Sequence, residues 1–182
     1  RLSHEVQFEK SSLKVVTGIS QISRWPEFDE AALSGFFEWL GLNFDFVIVD
    51  LDSDLEPGLV SLESSIGRNE PTRKLLELSS KVVAIVAADP IGVNLFLHQV
   101  RELETPYALV ANRLRNSVLG FDAARQIRDT FYQFLSKELI ALIPEDAAAA
   151  DNFLMKAQPL NLIAKNSKLR ESIRALALEL LK

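Results

Sequence analysis

A chain of 182 residues is long enough for one domain with a sizeable core, and 48% hydrophobic with 25% charged residues excludes wholesale disorder. The absence of cysteine excludes disulfides, thiolate metal sites and cysteine nucleophiles, and two distant histidines, His4 and His98, argue against a histidine-built metal site. A formal charge of −5 without any Lys/Arg run gives no general attraction to nucleic acid or anionic lipid, no apolar run nears the ~20 residues that span a bilayer, and no signal-peptide pattern opens the chain, so it reads as cytoplasmic.

In chain order, the first strand candidate is Leu13–Gly18 (LKVVTG). Asp29–Leu42 follows as a helix, with an acidic cap candidate and Leu33, Phe36, Phe37 and Leu40 at helical spacing. Phe44–Asp50 (FDFVIVD) reads as the second strand. Leu51–Ser80 is the least regular stretch, with short helices expected around Leu59–Ile66 and Thr72–Leu78. Lys81–Ala88 (KVVAIVAA) is the third strand, and Gly92–Leu103 a helix with Val93, Phe96, Leu97, Val100 and Leu103 on one stripe. Tyr107–Asn112 (YALVAN) is the fourth strand, and Asp122–Leu135 a helix with Ala124, Ile127, Phe131 and Leu135 in register. Glu138–Pro144 (ELIALIP) is the fifth strand, and Ser167–Lys182 the closing helix.

Continuous apolar runs of this length suit strands covered on both faces, and their alternation with helices implies a parallel sheet. The expected fold is α/β, a mostly parallel sheet with helices on both faces in a Rossmann-like three-layer sandwich, with residues 1–182 forming a single domain. Trp25 and Trp39 read as packing residues, and Ser64-Ser65 lacks the His/Asp partners of a serine nucleophile. The closing helix carries Arg170, Glu171, Arg174, Glu179 and Lys182, a mixture of signs that fits docking on the sheet better than lying on a membrane.

Asp50 ends the run Phe46-Val47-Ile48-Val49-Asp50, the pattern of a Walker B strand. Such a strand sets a carboxylate at the sheet's edge, where it can hold Mg²⁺ or its water. An aspartate capping the following turn gives the same pattern without chemistry. Asp52, Asp54 and Glu56 add negative charge nearby, of the kind a solvated loop carries or one that raises local cation affinity. Ligand sites of open α/β sheets lie past the strand C-termini, so the connection after Asp50 falls where function is expected.

Two later motifs make the pattern specific. Asn112-Arg113 follows one strand, and Ile143-Pro144-Glu145-Asp146 follows the next. With LKVVTG, the amphipathic helix and FDFVIVD before them, and AAAADNFLMKAQPL with a closing helix after them, the chain resembles the later two-thirds of a MinD/ParA-type (SIMIBI class) P-loop ATPase domain, nearest in kind to its CpaE/TadZ-like or septum-site members. The resemblance implies ATP and Mg²⁺ as ligands. Asn112 and Arg113 would lie against the adenine, the Pro144–Glu145–Asp146 loop would close over it, and Asp50 would serve the metal. An amide suits a base edge because it offers both donor and acceptor.

Two departures qualify what is implied. The G-K-G-G-x-G-K-T loop (Walker A) is absent from the chain, so no nest of backbone N–H groups and no lysine is here to hold phosphates. After Asp50 the residues are Leu51-Asp52-Ser53-Asp54 rather than a Pro-containing, Gly-ending switch. The expectation is the C-terminal portion of an ATP-binding protein that positions a cellular machine, whether pilus, septum or chromosome, as a homodimer or with protein partners, in the cytoplasm or peripherally at the membrane or cell pole. It would hydrolyse ATP only with a phosphate loop supplied from outside these residues. The alternative is a degenerate, non-catalytic interaction domain of the same fold.

Overall fold

The computed structural model describes residues 3–8, 11–17, 30–53, 55 and 69–182. Trp25, Asp54, Glu56, the Leu59–Ile66 helix candidate and Ser64-Ser65 lie outside the described residues. The chain divides into two compact units, Arg1–Leu78 and Ser79–Lys182.

The first unit holds strands β1 (Ser3–Phe8) and β2 (Ser11–Val16) and helices α1 (Glu30–Asn43) and α2 (Glu70–Leu78). The β1–β2 pair is antiparallel, with Ser3 opposite Val16 and Phe8 opposite Ser11. This corrects the expectation for Leu13–Gly18: its residues Leu13–Val16 pair in this antiparallel hairpin rather than in the parallel sheet. The alternation of Val6 and Phe8 with Glu5 and Gln7 is the period-two signal of its partner strand. In α1 Leu33 is buried, while Phe36 stacks on Trp39 at 6.5 Å and Trp39 meets Phe44 edge-on at 6.0 Å. Trp39, expected as a packing residue, is 52% exposed, so its contacts form a half-open aromatic ladder. The α2 helix agrees with the Thr72–Leu78 expectation.

Phe44–Asp50 is a second correction. It is no paired strand, and Ile48 within it is 95% exposed. Apolar content gives a segment a reason to be buried but cannot supply a neighbour to bond with, and none is present among the described residues.

The second unit is a three-stranded parallel sheet flanked by helices, the expected α/β class. Its strands are β3 (Val82–Ala87), β4 (Tyr107–Leu114) and β5 (Leu139–Pro144), in the order β3-β4-β5. Helix α3 (Pro90–Gln99), followed by a 3-10 turn at Val100–Glu102, crosses from β3 to β4. Helices α4 (Asn116–Leu119) and α5 (Ala123–Leu135) cross from β4 to β5, and α6 (Ala147–Lys156), α7 (Leu160–Ile163) and α8 (Lys168–Leu180) close the chain. Start signals match the ends of these helices. Asp89 caps α3 by accepting from Gly92 N–H at 2.8 Å, with Pro90 in the first turn, and Asp122 caps α5 through Arg125 N–H.

One core joins Val86 and Ala88, Leu109 and Ala111, Leu139, Val93 of α3, and Ile127 and Phe131 of α5. Phe131 is fully buried and meets Phe96 edge-on at 5.9 Å. Gly92 lets α3 approach β3, since a Cβ there would stand 2.7 Å from both Ala87 Cβ and Ala87 O. Side chains alternate between faces along a strand, so Ile85 and its pairing partner Val110 lie on the face opposite this core. Val110 is fully buried there, whereas Ile85 on β3 is 60% exposed. Helix α8 packs along β5.

Candidate functional site

Parallel strands bring their C-terminal ends to one edge of the sheet, where α/β folds gather ligand sites. Here that edge carries Ala88-Asp89, Asn112–Arg115 and Pro144–Asp146. Ala88 N–H donates to Asn112 O at 2.7 Å, and Glu145 N–H donates to Leu114 O at 3.0 Å. Leu114 faces Pro144 in the ladder. The two motifs read from the sequence are thus neighbours in space.

Between Ala111 and Leu114 the β4–β5 register slips, and within that slip Arg113 adopts φ 60°. A β-bulge of this kind re-aims side chains at a sheet's end. Arg113 N–H donates to the Asn112 side-chain Oδ1 at 2.8 Å, which fixes the amide plane. The other end of that amide, Nδ2, donates to no described residue.

Glu145 gathers two guanidiniums. Arg113 donates to its Oε1 from Nε at 3.3 Å and Nη2 at 3.2 Å, and Arg115 Nη1 lies 3.1 Å from its Oε2. Both pairs are partly solvated, so each contributes about 0–1 kcal/mol, and their value lies in fixing geometry. Arg115 Nε is buried without a hydrogen-bond partner among the described residues. The cluster therefore keeps two unspent donors, Asn112 Nδ2 and Arg115 Nε.

Asp146 faces away from this pair. Its Oδ1 caps α6 by accepting from Ala149 N–H at 3.0 Å, and its Oδ2 accepts from the Ser167 hydroxyl at 2.7 Å. The Ser167 hydroxyl first, and the Ala149 N–H second, hold the Asp146 carboxyl below the usual carboxylate range. Its role here is to shape the loop, with both oxygens occupied.

Asp50 is placed differently from its expectation. It is exposed, stands on no paired strand, and belongs to the first unit. Among the described residues no three acidic or histidine side chains gather into one cluster. The residues present thus set an oriented amide and two guanidiniums beside a loop at the C-terminal edge of the sheet. The sequence holds no glycine-rich loop of the kind that cradles phosphates. Arg115 and Ser167 were not singled out by the sequence reading. The Arg-x-Arg spacing after Asn112 and the serine opening the last helix are the signals that point to them.

No protein-family model matches the chain, and no curated protein matches it. Among solved structures it is similar to a ParA family ATPase from Chlorobium tepidum TLS, with a TM-score of 0.71 and 17% identity. The match covers 96% of this chain and 66% of that one, so the chain spans less than two-thirds of that protein's length. At this identity the likeness speaks for the fold alone, and the chain has a ParA-like α/β fold.

Proposed function

We propose that the sheet edge formed by Asn112, Arg113 and the Pro144–Glu145–Asp146 loop is an adenine-binding site, in a ParA/MinD-like protein that positions a cellular machine in response to ATP. The observation that carries this reading is the polar cluster itself, in which an oriented amide keeps its donor free beside a loop held against it by Glu145. Asn112 would read the base edge, offering Nδ2–H and the remaining lone pair of Oδ1. Arg113 and Arg115 hold Glu145, and Pro144 stiffens the loop's entry. A triphosphate would need groups that these residues do not gather, and Asp50 is the carboxylate that the resemblance assigns to Mg²⁺. On this reading the 182 residues act as one α/β domain, whose partners are a second copy or other proteins of the positioning system.

A second reading is favoured by the placement of Asp50 and by Leu51-Asp52-Ser53 in the switch position. On it, the domain is a non-catalytic scaffold that keeps the fold and binds proteins. Adenosine separates the two without needing a phosphate cradle. Ligand-observed NMR at low protein concentration is expected to give adenosine a Kd of the order of 1 mM, about −4 kcal/mol, with guanosine weaker. Asn112→Ala removes one or two hydrogen bonds worth about 0.5–1.5 kcal/mol each, so affinity falls from a few-fold to about a hundredfold and the base preference is lost. Equal weak response to both nucleosides, unchanged in Asn112→Ala, would favour the scaffold. Calorimetry with Mg-ATP is expected to show no low-micromolar binding by the 182-residue chain, since most charge compensation for a triphosphate comes from the phosphate loop.

A further inference from the structure

Asp146 and Ser167 are 21 residues apart in sequence and meet in one short hydrogen bond. A hydroxyl has one donor and two acceptor positions, and in Ser167 all three are spent. Its O–H goes to Asp146 Oδ2 at 2.7 Å, while Oγ accepts from Leu169 N–H at 3.1 Å and Arg170 N–H at 3.4 Å. The other oxygen of Asp146 caps α6 at Ala149. One Asp–Ser pair thus caps two helices and joins them. The adjacent residue, Glu145, is bonded to the end of β4 through its backbone and its carboxylate. The Pro144–Asp146 loop is therefore fixed from β4 on one side and from the start of α8 on the other, and α8 itself packs along β5.

We propose that Ser167 is a positioning residue for the candidate base site, holding the loop through Asp146 so that closure of the loop on a base and ordering of the first turn of α8 are one event. This rests on the adenine reading, and coupling of this kind is reciprocal: a base that orders the loop also protects α8, and an intact cap on α8 favours the base. A serine that merely capped its own helix would leave the loop indifferent to it.

Three variants distinguish these cases. Ser167→Thr keeps the hydroxyl. Ser167→Asp keeps a strong cap for α8, since Asp and Ser cap alike, but supplies no O–H and sets a carboxylate against Asp146. Ser167→Ala loses both contacts. Hydrogen-exchange mass spectrometry on the 182-residue chain without ligand reads the loop directly. In Ser167→Asp, exchange across Glu145–Ala149 should rise about tenfold while Leu169 and Arg170 stay protected, and Ser167→Thr should match wild type. With millimolar adenosine, wild type should gain protection at Leu169 and Arg170, and Ser167→Asp should bind about three- to tenfold more weakly. Wild-type exchange across Glu145–Ala149 in Ser167→Asp overturns the proposal whatever adenosine does. Undiminished adenosine affinity in that variant overturns it as well. Absence of any adenosine response in wild type overturns the adenine reading instead, and the ligand-free exchange then still decides whether Ser167 fixes the loop.

Discussion

At Arg113 the backbone takes a left-handed conformation that costs a non-glycine residue about 1–2 kcal/mol. The surroundings over-determine it: the Asn112 side chain holds its N–H, and Glu145 holds its guanidinium. Replacement by glycine and by alanine should then depart from the usual order. Arg113→Ala loses the ion pair and keeps the strain, whereas Arg113→Gly loses the ion pair and sheds the strain. Urea denaturation should find the glycine variant the more stable by about 1 kcal/mol, and an alanine variant equal or better would mean the bulge relaxes without glycine. Asp146 supplies a pH dependence of known sign. Its native pKa is lowered, so the stability it contributes is fully present above the usual Asp value of ~3.9 and is lost as pH falls from there through the lowered native value. Ser167→Ala removes the largest cause of that lowering. The variant should therefore show a shallower loss of stability in this acid window, measured by thermal unfolding at a series of pH values.

Elements differ in how fully the sequence specified them, and the difference follows from what each needs. Helix α5 carries its own instructions: Asp122 as cap, Ile127 and Phe131 one turn apart, and both are buried as the spacing requires. The strands β3, β4 and β5 were readable because each is a continuous apolar run beside a helix that covers it. Phe44–Asp50 has the same composition and no partner strand among the described residues, which no local pattern can provide. The Asn112-Arg113 and Ile143–Asp146 motifs were readable as words, but the bulge at Arg113 and the Asp146–Ser167 bond depend on contacts distant in sequence. The close approach of α3 to β3 leads to a prediction for this layer. Gly92→Ala would force a methyl against Ala87 O, a backbone atom that cannot swing aside, and should cost about 1–3 kcal/mol in denaturant unfolding. Phe131→Ala, which empties the centre of the same core, should cost about 3–5 kcal/mol.

For the whole molecule, the consequential feature is what borders β3. It is the terminal strand of its sheet, and its outer edge pairs with no strand among the described residues. On the face away from the α3–α5 core, Ile85 stands 60% exposed beside the fully buried Val110. An unpaired edge next to exposed apolar surface is a template for joining another chain, and β3 lacks the charges and prolines that usually blunt such edges: its sequence is VVAIVA throughout. The net charge of −5 opposes aggregation only generally and puts no repulsive group on this strand. The 182-residue chain should therefore associate as concentration rises, with a light-scattering mass climbing above its 20.4 kDa monomer value. Ile85→Lys places a charge in the middle of the open edge without touching the core that contains Val86 and Phe131. It should shift the association to higher concentration while leaving the helical content unchanged by circular dichroism. Monodisperse monomer at high concentration in the unsubstituted chain would show that this edge is protected, and equal association in Ile85→Lys would place the contact elsewhere.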